Sequence, residues 1–317
     1  MLDPTSTRQP ALERAAWLAT RSGASLELFI CDYDQYLAGE RLFDSASLAK
    51  ARRDLVAGHL EDLKNEARRL EQQNLEVEID ARWDHPLHEG IARKVRDSRP
   101  AMVFKDTHYH AALSRSVFSN TDWSLVRCCE APLWLVKPHP MSDPPRIIAA
   151  VDPLHQHDKP AELDHSILAA ADELRYAVNG ELHLIHAYEI TPAVAVSAGS
   201  MSMPISVPLR NVTGPLKKQH GGAVMALADR HGIEHGCVHI QEGATSTVLL
   251  RLTEQIGADV VVIGAVSRSG LRRLFLGSTA EQVLDRLPCD MLIVKPPVSS
   301  RSSQQAQPRS AADSCEF

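Results

Sequence analysis

Several things that would assign a chemistry at sight are missing from this chain. Its six cysteines, Cys31, Cys128, Cys129, Cys237, Cys289 and Cys315, are scattered, with no CxxC pair. That excludes a small disulfide framework and a zinc site legible from spacing, and leaves reduced, mostly buried thiols. The vicinal pair Cys128–Cys129 reads as packing. No apolar run approaches the roughly 18 residues of a membrane span, and Met1 to Pro10 lacks the apolar core of a signal peptide. A cytoplasmic protein with no membrane partner is expected. There is no positive excess either: the net charge is -6, with a pI near 6.2, which gives no reason to expect direct nucleic-acid binding. No HExxH, no nucleophile elbow and no P-loop with its Lys-Ser/Thr occurs, so nothing identifies a hydrolase or a kinase. The histidine pairs His85 and His88, His108 and His110, and His155 and His157 do not build a four-ligand pattern, and no structural metal is expected from them.

What the chain does have is a repeat. "LWLVKPHP" at 133–140 returns as "MLIVKPPV" at 291–298, 158 residues on. Carried back without a gap, that offset aligns Val103 with Val261, Leu113 with Leu271 and Thr121 with Thr279. "LDP" at 2–4 is echoed by "VDP" at 151–153, 149 residues on, so the second copy is nine residues longer. The joint falls in the Pro-rich "KPHPMSDPPR", a suitable linker. The division predicted is a first domain over 1–140, a second over 141–297 and a disordered Ser/Gln-rich tail over 298–317.

In the second copy, "RIIAAVD" and "DVVVIG" are continuous apolar runs of the kind that form buried parallel strands. "GELHLIHAYE", "EHGCVHIQ" and "MLIVKP" supply three more. Helical patterns separate them: "AELDHSILAAADELRYAVN", about 214–231, Thr245 to Ile256, and Ser278 to Leu287. Strand and helix alternate, which predicts a doubly wound α/β unit with a mostly parallel five-stranded sheet. The first copy follows the same plan, with strands near 25–31, 75–82, 101–105 and 132–137 and a charged helix near 46–73. One piece is absent. Six strand residues precede Asp152, but only Met1 and Leu2 precede Asp3. The first strand belongs in the middle of such a sheet, so the strands near 25–31 and 101–105 are expected to face an empty slot. A start site placed too far downstream, or a truncation, is the expected reason. The segment 190–216, "ITPAVAVSAGSMSMPISVPLRNVTGPL", is an insertion of copy two. Its plain reading is a loop packed on the sheet edge; its sharper reading is a lid over an apolar or acyl ligand, with Met201 and Met203 in the wall.

Ligands of open α/β sheets bind beyond the carboxyl ends of the central strands. Two features of copy two meet there: Asp152, and the loop "GAVSRSGLRRLFLGS" from Gly264 to Ser278. Gly264 and Gly270 permit a close backbone approach, and Gly277 leads into "STAE", a capping box opening a helix. The free amides of that helix start, with the hydroxyls of Ser278 and Thr279 and the guanidinium of Arg268, backed by Arg272 and Arg273, suit an anion. A glycine-containing βα turn with an ordinary cap is the competing reading.

The loop resembles the G-x2-G-x9-G-(S/T) signature of the universal stress protein (UspA) superfamily, and "NTDWSLVRCCEAPLWLVKP" and "GSTAEQVLDRLPCDMLIVKP" extend the likeness over nearly the whole chain. The resemblance implies two tandem Rossmann-like domains of the adenine nucleotide alpha hydrolase type, a cytoplasmic stress-response role including DNA damage and growth arrest, and a binding or regulatory module with no catalytic residue. In ATP-binding members the loop holds ribose and phosphates. That implies an adenine contact for Asp152, a backbone contact for Ala187, and phosphate contacts for Gly264, Gly277 and Ser278, with no metal beyond nucleotide-bound Mg2+. The second signature glycine is here Ser267. In copy one the four positions become Asp106, Tyr109, Ala112 and Ser119, and Asp106 and Asp122 bring negative charge to where phosphate would sit. That copy is expected to bind no nucleotide and to serve as an intramolecular pseudo-dimer partner, in place of the subunit that single-domain relatives recruit through their last strands. A carrier of an apolar small ligand and a slow ATPase are the alternatives; self-association of the whole chain is left open.

Overall fold

The computed structural model describes residues 1–38, 45–110, 115–117, 119–154, 161–189, 209–267, 274–275 and 286–296. In copy one the order is α1 (Pro10–Ser22), β1 (Leu26–Asp32), α2 (Ser45–Glu71), β2 (Val77–Trp83), α3 (Leu87–Ser98), β3 (Val103–Asp106), β4 (His108–His110), β5 (Arg115–Val117), α4 (Asn120–Cys128) and β6 (Leu133–Val136). Copy two runs β7 (Arg146–Ala150), α5 (Ala161–Val178), β8 (Glu181–Tyr188), α6 (Leu209–Arg230), β9 (Val238–Glu242), α7 (Thr245–Ile256), β10 (Val260–Gly264), β11 (Val266–Ser267), β12 (Leu274–Phe275) and β13 (Asp290–Val294).

The five apolar runs of copy two lie side by side as β13-β10-β7-β8-β9, all parallel. β10 and β13 are buried almost throughout because helices cover both faces. Copy one joins this sheet through its last strand: β6 pairs antiparallel with β13, Leu292 opposite Trp134, and β3 continues beyond β6. The result is one seven-stranded sheet with an apolar cluster on each face. Each cluster draws on both copies, Leu125 and Leu133 with Val261 and Ile293 on one side, Trp134 with Ile147, Leu184 and Val262 on the other. The repeat holds at the level of register. Val103 faces Leu133 and Val261 faces Met291, and in the short antiparallel hairpins after β3 and β10 His108 faces Val117 and Val266 faces Phe275. Every one of these pairs keeps the 158-residue offset.

The expected slot is present. β1 and β2 form a separate two-stranded sheet, and no described strand lies between β1 and β3. A cavity of about 780 Å³ occupies the place, lined by Leu28, Phe29, Met102, Phe104 and, from α5, Leu174. Among the described residues two backbone bonds reach into it, at one end: Leu2 N donates to Phe29 O and the Met1 amine to Phe104 O, at 2.9 and 2.8 Å.

Two local expectations change. "EHGCVHIQ" begins not as strand but as a 3-10 turn over His235–Cys237, with Cys237 N donating to Glu234 O, and pairing with β8 starts at Val238. β9 is the sheet edge, so nothing on its outer side holds the preceding residues extended. The helix expected from 214 begins at Leu209 and carries Pro215 internally. The rest of the 190–216 segment, the helix expected from Ser278 and the 298–317 tail lie outside the described residues.

The two copies are clasped at Asp290, which is fully buried. Its carboxylate accepts hydrogen bonds from Trp134 Nε1 (2.9 Å) and Lys137 N (2.8 Å), pairs with Arg14 Nε at 2.9 Å and lies 3.0 Å from His139 Nε2. All four partners belong to copy one. Among the described residues of copy two, Asp259 performs the matching task for the linker, accepting from Ser142 N and Arg146 N at 2.7 and 2.8 Å.

Candidate functional site

In copy two the spatial order of the strands reverses between β7 and β10, and the crevice beyond their carboxyl ends is the binding position of such a sheet. Asp152 follows β7 and Gly264 closes β10, so both stand at that point. Two consecutive residues at the start of α5 touch them. The Asp164 carboxylate accepts the Asp152 N–H at 3.1 Å, and Leu163 packs on Gly264 so closely that a Cβ there would lie 2.6 Å from its side chain. Asp152, Leu163 and Asp164 are all buried. Gly264 is therefore required by the helix crossing above it, whatever the loop beyond it binds.

Ala187 lies in β8 with Gln241 opposite it, and its half-buried side chain packs into the cluster under α7. Its neighbours point the other way, under α6. His186 is completely buried, its Nδ1 3.0 Å from Val151 O and its Nε2 2.7 Å from His220 Nδ1. Tyr188 stacks on His220 with ring centroids 4.5 Å apart and planes inclined by 17°. Burial holds His220 below the ordinary histidine range, and His186 adds to that effect while Asp152 opposes it. The ring stack ties β8 and the chain just before Asp152 to α6.

Ser267 lies in β11, opposite Leu274 of β12, so the backbone there turns back as a hairpin. Arg268, Gly270, Gly277, Ser278 and Thr279 lie outside the described residues. In copy one the corresponding helix start is fully described. Ser119 caps α4 in a reciprocal box: its hydroxyl and backbone N–H donate to the Asp122 carboxylate at 2.9 and 2.7 Å, and Asp122 N donates back to Ser119 Oγ. Asp122 is completely buried, with Lys105 Nζ 2.6 Å from its other oxygen. Copy one thus places its own carboxylate on the free amides of this helix start. Asp106 Oδ1 accepts the Ala11 N–H at 2.6 Å; burial pushes its carboxyl up to about 6, against the pull of that hydrogen bond.

Sequence reasoning did not single out Leu163 and Asp164, or His186 and His220. The apolar-acidic pair at the head of an amphipathic helix was the available signal for the first two; for the histidines, 34 residues apart, there was none. Of the histidine pairs, His85 stacks on Tyr33 with centroids 4.0 Å apart. His155 and His157 lie outside the described residues, as do the side chains of His108 and His110. Cys31, Cys129 and Cys289 are buried and Cys128 is exposed; burial pushes the Cys31 thiol up to about 12 and that of Cys129 up to about 11.

Comparison with known proteins assigns the family. The model of the universal stress protein family matches the chain twice, over residues 1–137 and 146–295. Universal stress protein E of Escherichia coli K12 is 30% identical over 298 residues, covering 93% of this chain and 92% of its own. The universal stress protein E homolog of Haemophilus influenzae is 25% identical, covering 93% and 96%. Among solved structures, a protein of unknown function from Pseudomonas aeruginosa PAO1 superposes with a TM-score of 0.69 at 24% identity, over 93% of this chain and 90% of its own. A universal stress protein of Archaeoglobus fulgidus gives 0.62 at 17% identity, over 92% and 96%. Two tandem matches, one shared sheet and a curated relative aligned over nearly all of both chains lead to one conclusion: this chain belongs to the universal stress protein family, as a tandem two-domain member.

Proposed function

We propose that the chain is a stress-response binding module in which the second copy holds an adenine nucleotide and the first is its built-in packing partner, the two dividing near residue 140. The observation that carries this reading is the asymmetry between the two helix starts. In copy one the start of α4 is closed by Asp122, which is neutralised by Lys105, whereas the residues aligned with that pair in copy two are Ala280 and Ile263, and the acid of the copy-two capping box, Glu281, comes one position later with no lysine aligned to it. Asp152 and Gly264 meet at the switch point through Leu163 and Asp164, which supports the crevice of copy two as the site. In this reading Asp152 contacts the base and the Ala187 backbone completes its pocket. Gly264, Arg268, Gly270, Gly277, Ser278 and Thr279 hold ribose and phosphates, and Mg2+ enters only with the nucleotide. Ser267 stands where close backbone approach favours glycine, so it sets the affinity. No residue at the site is placed as a general base, and the function is binding rather than turnover.

The test is isothermal titration of the full chain with MgATP beside three variants. Ser267→Gly is expected to tighten binding at least about fivefold, roughly 1 kcal/mol; Asp152→Ala is expected to weaken it at least tenfold; Asp122→Ala, in copy one, is expected to leave it unchanged. Absence of binding in both wild type and Ser267→Gly would sink the reading.

A further inference from the structure

At the far edge of the sheet, away from the switch point, three electron-pair donors from separate parts of copy two converge. Glu181 and His183 lie two apart at the start of β8, so their side chains fall on one face of the strand. Cys237 ends the 3-10 turn that leads into the edge strand β9. His183 Nε2 is 3.4 Å from Glu181 Oε1, Cys237 Sγ is 3.8 Å from the same oxygen, and one donor atom of each residue lies within 4.8 Å of the others. Ligands held at about 2.0–2.3 Å around a tetrahedral ion stand about 3.3–3.6 Å apart. Two of the three separations are within a few tenths of an ångström of that spacing, and the third, within 4.8 Å, closes by a side-chain adjustment of about an ångström.

The histidine is the second, independent observation. His183 is 9% exposed, and its buried Nε2 makes no well-aligned hydrogen bond, the Glu181 oxygen at 3.4 Å being its near neighbour. Its other nitrogen is engaged: Nδ1 lies 3.1 Å from His239 Nε2, with the rings 5.3 Å apart and inclined by 31°. When Nδ1–H donates to His239, the lone pair of Nε2 faces the Glu181 carboxylate, which has no proton to give, and the Cys237 S–H is turned to that same carboxylate. A buried acceptor without a donor is costly, and such groups call for an explanation. An outer partner on the far ring nitrogen is the usual arrangement of a metal-ligating histidine. Arg146 is the nearby cation, and its guanidinium is occupied by Ile256 O at 3.0 Å.

We propose that Glu181, His183 and Cys237 form a site for a tetrahedral divalent ion of the zinc class, with His239 as the positioning residue behind His183 and a water in the fourth place. The mixed carboxylate, imidazole and thiolate set suits zinc or cobalt and does not suit magnesium or calcium, which take oxygen ligands. Glu181 is 46% exposed on its side chain, which leaves an entry path from solvent and an open coordination position. The ion would pin the 3-10 turn to the start of β8, where the edge strand has no outer neighbour. This site is independent of the nucleotide reading.

The experiment is titration of the full-length protein with Co2+, after chelator treatment and under a non-thiol reductant. Expected are the visible bands of tetrahedral cobalt and a thiolate-to-cobalt band in the near ultraviolet, saturating at one equivalent and displaced by Zn2+. Cys237→Ser should abolish the near-ultraviolet band. His183→Gln should weaken binding at least 100-fold. His239→Phe should weaken it about 10- to 100-fold while leaving the band shape intact, as loss of an outer partner does. In the wild-type protein, one equivalent of Zn2+ should slow alkylation of Cys237, read by peptide mass spectrometry, and leave that of the exposed Cys128 unchanged; this arm needs no variant to fold. No near-ultraviolet band, a band that survives in Cys237→Ser, or equal alkylation of Cys237 with and without Zn2+ overturns the proposal.

Discussion

Asp290→Ala should be the most damaging single change at the junction of the two copies. The carboxylate is wholly buried and serves four groups of copy one: the Arg14 guanidinium, the Trp134 indole, the Lys137 backbone N–H and the His139 ring. Removing it leaves Arg14, only 7% exposed, as a buried cation facing a void. Losing one partner of a buried ion pair costs about 3–5 kcal/mol, and each orphaned neutral donor about 1–3 kcal/mol. These terms overlap because the donors share two oxygens, so the expected loss is about 4–6 kcal/mol. That is a large part of the roughly 5–15 kcal/mol that holds a typical protein folded. Asp290→Asn keeps one acceptor oxygen and the side-chain shape, and should cost about 2–3 kcal/mol. Urea unfolding followed by circular dichroism and by tryptophan fluorescence measures both. The coupling is checked by the cycle with Arg14→Leu, for which an interaction of about 2 kcal/mol or more is expected. A loss below about 1 kcal/mol for Asp290→Ala, or additive effects in the cycle, would refute the reasoning.

Gly264→Ala should destabilise by about 1–3 kcal/mol, because the new Cβ would meet Leu163 at 2.6 Å; chemical denaturation checks it, and a neutral effect would show that α5 yields freely. Asp106 binds its proton more tightly in the folded state, near pH 6 against about 4 unfolded, so the folded chain holds more protons in that interval and stability falls as pH rises from about 4 to 6. Allowing for its partial exposure, the loss is about 1–2 kcal/mol. Asp106→Asn, which keeps the oxygen facing Ala11 N, should remove that slope and raise the urea midpoint at pH 7; an unchanged slope would assign it to other groups. Fusing Arg-Ile-Ile-Ala directly ahead of Met1, which restores the six residues that precede Asp152 in copy two, should fill the slot between β1 and β3 and add about 2 kcal/mol or more, apolar burial exceeding the cost of ordering. The same extension with proline at its centre should add nothing, and equal effects of the two would exclude strand insertion.

Much of this architecture was legible because the repeat is rigid. A gapless offset read from "VKP" carries through to individual cross-strand pairs, His108 with Val117 and Val266 with Phe275 among them. The slot was legible for the same reason: only Met1 and Leu2 stand opposite "RIIAAV" when the two copies are aligned, and no described strand lies between β1 and β3. What remained hidden depends on distance along the chain. Nothing in "AELDH" says that Leu163 will lie on Gly264, 101 residues later, and nothing near Cys237 points back to Glu181. The 3-10 turn at His235–Cys237 was misread because strand propensity is a weak guide at a sheet edge, where half the pairing is absent.

The antiparallel joint between β6 and β13 has a consequence for stoichiometry. A pair assembled from separate subunits comes apart on dilution and exchanges partners; here both halves are translated as one molecule, always in equal number and at a fixed effective concentration. The half that seals Asp122 beneath its own helix start is therefore the permanent companion of the other, and on the nucleotide reading proposed above each chain would carry one site, with no identical twin across the joint to compete or cooperate with it.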